Sequence, residues 1–326
     1  MPKGGLKSTP FESDSRRSRK LDLAAHAAWL YYIAGNTQEE IAQKLNVSRQ
    51  SAQRLVALAV SERLIKFRLD HPLSSCIALA EALRDRFHLS ICEVIPTSPK
   101  NLRTGLGVCA AAHLETYLET KAPIIIGLSS GRTLRATIEQ LPAMEQPQHK
   151  VVSIIGNMSQ SGQAGRYEVV MRLCDRTNAA AYPMPTPVVA ASLKEKKLLQ
   201  TQQSFTTIKS LIEQATVTFV GIGDIGAGCP LHADGFISDR ELAELINLRA
   251  IGEVAGWTYN KQGNLLEKGT NQRVASVPLE QPVRRLVIGV AGGRKKTAAI
   301  HAALEGELIN GLIVDEAVAK VILSAK

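Results

Sequence analysis

A chain of 326 residues that is 45% hydrophobic and 21% charged can bury a large core, yet no stretch approaches the roughly 20 consecutive apolar residues of a membrane span. The polar, basic amino terminus lacks the apolar centre of a signal peptide, so the expected location is the cytoplasm and no membrane partner is expected. The formal net charge of +9 is uneven: residues 1–70 hold 12 Lys or Arg against 7 Asp or Glu, a net of +5 that leaves only +4 for the rest of the chain.

That concentration of positive charge suits a polyanion, whose counterions are released on binding. Residues 1–19, with Lys3, Lys7, Arg16, Arg17 and Arg19 among Ser, Pro and Gly, read as a disordered basic arm. Residues 20–70 read as a three-helix module. Its first helix, over 21–34, is Ala-rich and periodic, and Gly35-Asn36 stops it. Thr37 followed three residues later by Glu40 is a capping box that starts a second helix. Ile41, Ala42 and Leu45 share one face of it, with Ala42 small where a neighbouring helix must cross closely.

Asn46 tolerates the positive φ of the turn, and Ser48 caps a third helix whose Ala52, Leu55, Val56 and Ala59 point inward. Ser48, Arg49, Gln50, Gln53 and Arg54 point away from that core. Arg pairs bidentately with guanine, Gln with adenine, and Ser at a helix start takes a phosphate oxygen, so these five are the candidate contacts of a helix-turn-helix with double-stranded DNA. Residues 63–69 alternate like a short strand, which predicts a winged variant with Lys66 and Arg68 near phosphates.

Residues 71–89 read as a linker helix. Leu73, Cys76, Ala80, Leu83 and Phe87 recur at the spacing of a helix-packing seam, which can dock on the next domain or join two copies. From residue 90 to 326, strand-like runs at 91–95, 123–128, 151–155, 179–182, 217–222, 285–290 and 312–314 alternate with helical stretches at 103–119, 133–141, 166–177, 193–214, 240–248, 296–305 and 316–323. This α/β alternation predicts a doubly wound, mostly parallel, Rossmann-like sheet covered on both faces, with ligands beyond the carboxyl ends of the strands.

Several strand ends there are rich in Gly and polar residues. Ser129, Ser130, Gly131, Arg132 and Thr133 follow one, Gly156 another and Asp224 a third, while the Gly292-Gly293 loop precedes Lys296. Hydroxyls and backbone N–H groups backed by Arg132 and Lys296 offer donors to phosphate or hydroxyl groups, and Asp224 or Glu253 can accept from sugar hydroxyls. Residues 221–226 match a dinucleotide fingerprint, but Cys229-Pro230 interrupts the helix that should follow, and the 291–297 loop lacks the spacing of a nucleoside-triphosphate loop. No cofactor is expected. The widely spaced Cys76, Cys92, Cys109, Cys174 and Cys229 form no Cys-x-x-Cys pair, and no His stands at ligand spacing, so neither disulfide framework nor metal site is expected.

Together with the helix-turn-helix segment, the stretches Gly127-Leu-Ser-Ser-Gly-Arg-Thr-Leu134, Val220-Gly-Ile-Gly223, Ile251-Gly-Glu-Val254, Gly292-Gly-Arg-Lys-Lys296 and Leu308-Ile-Asn-Gly-Leu-Ile-Val-Asp-Glu316 resemble the SorC family of bacterial sugar-responsive regulators, in family order from about residue 21 to the carboxyl end. The resemblance implies a helix-turn-helix joined to an effector domain similar to sugar-phosphate isomerases and deaminases. It implies an effector drawn from sugars, polyols and their phosphates. A homodimer or homotetramer is expected, since paired reading helices suit the two half-sites of a palindrome. Gly131, Arg132 and Thr133 match the loop that borders the effector, Glu253 the acidic residue of the Gly-Asp/Glu element, and Lys296 the lysine after Gly-Gly. Ser130 stands where many members have Trp, and Tyr259-Asn260 where many have Phe-Asp. Residues 182–190 resemble members associated with polyol catabolism, which tilts the effector toward an unphosphorylated polyol or sugar.

The expected mechanism is linkage, with effector binding one conformer better and so changing operator affinity; a coupling of about 1 to 3 kcal/mol amounts to about 5- to 150-fold. The competing class is a sugar-phosphate isomerase or deaminase carrying a DNA-binding domain. Asp224, Glu253, Asp315 and Glu316 are its candidate bases, the last two reading as the cap of the final helix.

Overall fold

The computed structural model describes residues 10–65, 74–159, 162–165 and 167–325. The chain divides into two compact units, Met1–His71 and Pro72–Lys326.

In the first unit, α1 (Pro10–Tyr32), α2 (Gln38–Lys44) and α3 (Arg49–Ser61) enclose a core of small residues. Ala24, Ala27 and Ala28 of α1, Ala42 of α2, and Ala52 and Ala59 of α3 are buried, and Ile41, Leu55 and Val56 fill the space left between closely approaching helices. The capping box forms as the sequence predicts: Glu40 N–H donates to Thr37 Oγ1 at 3.3 Å and Thr37 N–H to Glu40 Oε2 at 2.7 Å. Asn46 takes φ 52°, and Ser51 N–H donates to Ser48 Oγ at 3.2 Å.

Helix α1 starts well before the expected 21–34, so the expectation of an irregular arm is corrected for residues 10–19. A proline at the first helical position loses no hydrogen bond and presets φ, which explains a start at Pro10. Residues 1–9, Lys66 and Arg68 of the expected wing, and Leu73 of the expected helix seam lie outside the described residues.

The second unit opens with α4 (Ser74–Phe87), followed by β1 (Ile91–Ile95), α5 (Leu102–Leu118), β2 (Ile125–Leu128), α6 (Arg132–Gln140), β3 (Lys150–Met158), α7 (Val170–Thr177) and β4 (Ala180–Pro187). It continues with α8 (Leu193–Gln200), α9 (Gln203–Glu213), β5 (Val217–Val220), β6 (Gly223–Asp224), α10 (Pro230–Ala233), α11 (Asp239–Asn247), β7 (Gly252–Val254) and β8 (Trp257–Tyr259). It ends with β9 (Val287–Val290), α12 (Thr297–Glu305), β10 (Gly311–Asp315) and α13 (Glu316–Ser324).

Among the described residues, seven strands form a parallel sheet in the order β1-β10-β9-β5-β2-β3-β4, and β6, β7 and β8 form a small antiparallel sheet beside it. Alternation along each strand divides the core between two faces. Phe219, Ile126, Ile288 and Ile313 pack with Leu114, Leu134 and Leu173 of α5, α6 and α7. Val220, Leu312 and Val314 pack with Leu83, Ile208, Ile300 and Val318 of α4, α9, α12 and α13.

From β2 the chain winds outward to β3 and β4, and from β5 it winds the other way to β9 and β10. The order therefore reverses between β2 and β5, which is where a sheet of this kind opens a crevice.

The α4 seam is consumed inside this unit. Cys76, Ala80 and Leu83 are buried against β1 and α13, and Arg86 Nη1 donates to Ile322 O at 3.0 Å. The helix expected as a linker is the first layer of the sheet domain, and this apolar stripe is not available to join two copies.

Candidate functional site

At the reversal point, Ser129 Oγ accepts a hydrogen bond of 3.0 Å from Gly221 N–H, tying the end of β2 to the end of β5. Above this tie lies a cavity of about 700 Å³ lined by the loops after β2, β3, β5 and β9 and by the small antiparallel sheet. Ser129, Ser130, Gly131, Arg132, Thr133, Asp224, Glu253 and Lys296 all line it. Residues nearly 170 positions apart in sequence are thus gathered by the winding of one sheet.

Gly131, with φ 139°, turns the chain from β2 into α6, a backbone conformation that L side chains rarely adopt. Arg132 at the start of α6 donates to Asp234 Oδ1 at 3.3 Å, and its guanidinium lies 5.3 Å from the centre of the Tyr167 ring. Salt bridge and aromatic face together fix its direction into the cavity.

Across the cavity, Lys296 Nζ donates to Ile222 O at 2.6 Å, and Gly256 N–H donates to Glu253 Oε2 at 2.9 Å. Burial lowers the affinity of Lys296 for its proton, opposed by the nearby carboxylates of Glu253 and Asp224. Burial raises the pKa of Glu253, opposed by the Gly256 N–H and Lys296, with Asp224 adding to the rise. The cavity floor therefore groups Lys296, Glu253 and Asp224, with Lys296 and Glu253 stripped of water and each acting on the other's hold on its proton. Such a group is ready to exchange hydrogen bonds with a polar ligand.

The cationic side also draws on α5. Its first turn, with Arg103 and Thr104, lines the cavity, and α5 and α6 both start without a side-chain cap, at Asn101 and Gly131. The open N–H groups of two helix starts add partial positive charge to the same space.

Two expectations need correction. Gly156 does not line the cavity, although its neighbours Ile155 and Asn157 do. It sits within β3, where the carbonyls of Thr186 and Pro187 on β4 press so close that no Cβ fits, so its role is packing. Asp315 makes no side-chain cap on α13. Instead its buried carboxylate accepts from Gly293 N–H at 2.7 Å and from Thr97 Oγ1 at 3.0 Å, while Thr97 Oγ1 accepts from Ala317 N–H at 2.8 Å. Asp315 thereby anchors the loop that carries Lys296.

The polar strand end at 156–159 does reach the cavity, through Asn157, whereas the sequence does not single out Asp234, Tyr167 or Arg103. Arg103 alone had a local signal, a basic residue opening a helix after a strand; the others reach the cavity by tertiary packing. The dinucleotide-like run has no long helix after it, since β5 leads into two-residue β6 and then four-residue α10.

In the first unit, Ser48, Arg49, Gln50, Gln53 and Arg54 are all exposed along one side of α3, opposite the buried Ala52, Leu55, Val56 and Ala59. Arg49 Nε stands 3.7 Å from Glu39 Oε2 in an exposed pair, worth little in water and readily exchanged for a stronger anion.

A three-helix unit presenting a polar reading helix, in one chain with an α/β unit holding a polar cavity at its switch point, defines the class of ligand-responsive, DNA-binding transcription regulators. Residues 71–324 match the family described as "Putative sugar-binding domain". The chain is 32% identical over 306 residues to the erythritol catabolism regulatory protein EryD of Brucella abortus, covering 92% of this chain and 96% of that one. It is 26% identical to the deoxyribonucleoside regulator of Bacillus subtilis, covering 94% and 98% of the two chains. The crystal structure of the full-length sorbitol operon regulator SorC from Klebsiella pneumoniae superposes with a TM-score of 0.73 at 26% identity, covering 93% of this chain and 98% of that one. The chain belongs to the SorC-type family of sugar-binding transcriptional regulators. No helix among the described residues is long and apolar enough to cross a membrane.

Proposed function

We propose that this chain binds a sugar, polyol or sugar phosphate in the cavity between β2 and β5 and that occupancy changes its affinity for operator DNA. The observation that carries this reading is the Lys296, Glu253 and Asp224 group on the cavity floor, facing Arg132 and the uncapped starts of α5 and α6. The carboxylates accept from sugar hydroxyls, Lys296 donates to them, and Arg103, Arg132 and the helix starts suit an anionic group. That division favours a phosphorylated polyol or sugar over the unphosphorylated one to which residues 182–190 point.

In the first unit, Arg49, Gln50, Gln53 and Arg54 read base edges, and Ser48 with the start of α3 takes a phosphate. A homodimer or homotetramer places two such helices on the half-sites of a palindrome. The protein acts in the cytoplasm and binds its effector without turning it over. No covalent step is needed for linkage, and the relatives are named as regulators.

The test is a thermal-stability panel with erythritol, sorbitol, deoxyribonucleosides and the corresponding phosphates, followed by operator titration with and without each hit. A ligand selective for the folded state must raise the transition temperature. A flat response across the panel overturns the reading, and consumption of the ligand favours the enzyme class.

A further inference from the structure

The sequence carries no Cys-x-x-Cys or His-Glu-x-x-His motif, but the fold brings three ligand-type side chains together away from the effector cavity. Cys109 and His113 lie one turn apart on α5, a separation that puts two side chains on the same helix face. Glu93 projects from β1, the edge strand beside that helix. His113 Nε2 and Glu93 Oε1 are 3.2 Å apart, and the Cys109 sulfur with these two groups falls within a mutual 4.8 Å.

We propose that Glu93, Cys109 and His113 form a site for a borderline-soft divalent cation of the zinc class. Imidazole, thiolate and carboxylate are the ligand types zinc accepts, and the thiolate disfavours calcium and magnesium, which prefer oxygen throughout. One thiolate and one carboxylate neutralise a doubly charged ion, so occupancy leaves no net buried charge. The side chains of His113 and Glu93 remain 26% and 46% exposed, which gives a hydrated ion a path in and leaves room for water as a fourth ligand.

Without the ion, burial pushes the Cys109 thiol up to about 12, with Glu93 adding to the rise. A bound cation reverses that balance: the S–H bond breaks, a metal–sulfur bond forms, and the proton leaves to solvent with no change of oxidation state. The ion would clamp α5 to β1, and the first turn of α5 lines the effector cavity.

Untagged full-length protein, stripped with chelator and titrated with Co²⁺, should bind one equivalent and develop a thiolate-to-cobalt charge-transfer band in the near ultraviolet. Zn²⁺ should abolish the band, and Cys109→Ser should never show it. In competition with a chromophoric chelator, His113→Ala and the surface variant Glu93→Gln should each weaken Zn²⁺ binding about tenfold or more, since even groups behind the direct ligands are worth about 10- to 100-fold. Absence of the band from wild-type protein overturns the proposal. So does an unchanged band in Cys109→Ser, or unchanged Zn²⁺ affinity in both other variants. The wild-type spectrum and Glu93→Gln keep the test decisive if a core substitution unfolds the chain.

Discussion

The outer face of α3 and the floor of the effector cavity both carry charge, but they hold it differently. Arg49 has an exposed carboxylate 3.7 Å away, and Gln50, Gln53 and Arg54 stand exposed beside it. Lys296, Glu253 and Arg132 are each tied by a hydrogen bond or salt bridge to the surrounding wall. A surface that meets a long polyanion gains from side chains free to adjust and from charge felt at a distance. A cavity that must distinguish one arrangement of hydroxyls from another gains from donors and acceptors fixed before the ligand arrives.

If that contrast holds, damage at one end should leave the other intact. The largest effect is expected for Lys296→Ala, which removes the ammonium hydrogen-bonded to Ile222 O and the positive charge that offsets the effect of Asp224 on Glu253. The thermal response to the effector panel should vanish, and with it a coupling of about 1 to 3 kcal/mol, while operator affinity without sugar stays within about twofold. Retained induction would remove Lys296 from the ligand's contacts.

Next in size is Arg49→Ala, expected to cost about 1 to 3 kcal/mol on the specific operator and to relax discrimination at one base, measured by titration against operator and random duplexes. An equal loss on both duplexes would assign Arg49 to the phosphate backbone. Thr37→Ala breaks the capping box and should lower the stability of the first unit by about 0.5 to 2 kcal/mol, read from hydrogen exchange of α2 amides, with sugar binding unchanged.

The smallest effect is a pH dependence. Because burial raises the pKa of Glu253 in the folded protein, its favourable contribution is complete below the unfolded carboxylate value and is lost as pH climbs through the raised one. Ligand-free Glu253→Gln should therefore show a flatter fall of transition temperature with rising pH over that window than the wild type. Parallel curves would mean that Glu253 ionises as it does in water.

What could be read from sequence follows the same division between local and distant causes. The capping box at Thr37, the turn at Asn46 and the inward face of α3 depend on residues within a few positions of one another, and each is found where the pattern puts it. The five inner strands of the parallel sheet announce themselves as apolar runs because both of their faces are buried, whereas the edge strands β1 and β4 are only partly covered. The three strands of the small sheet, only two or three residues long, are too short to show a period. The break between α8 and α9 at Thr201-Gln202 carries neither Gly nor Pro, so residues 193–214 read as one helix. Gly156 reads as a turn and is a close contact between strands, while Asp234 and Tyr167 reach the cavity, and Arg132, only through tertiary packing. Cavity membership is a property of the winding, and no window of sequence contains it.

The clamp made by Asp315 has a consequence for how such a protein diversifies. By fastening the Gly292-Gly293 loop to Thr97 and the last helix, it makes the lysine-bearing wall part of the scaffold. Ser130 between β2 and α6, Asn157 at the end of β3 and Tyr167 between β3 and α7 line other sides of the cavity. Substitutions on those sides can therefore reshape the cavity one at a time without loosening the wall that Asp315 fastens.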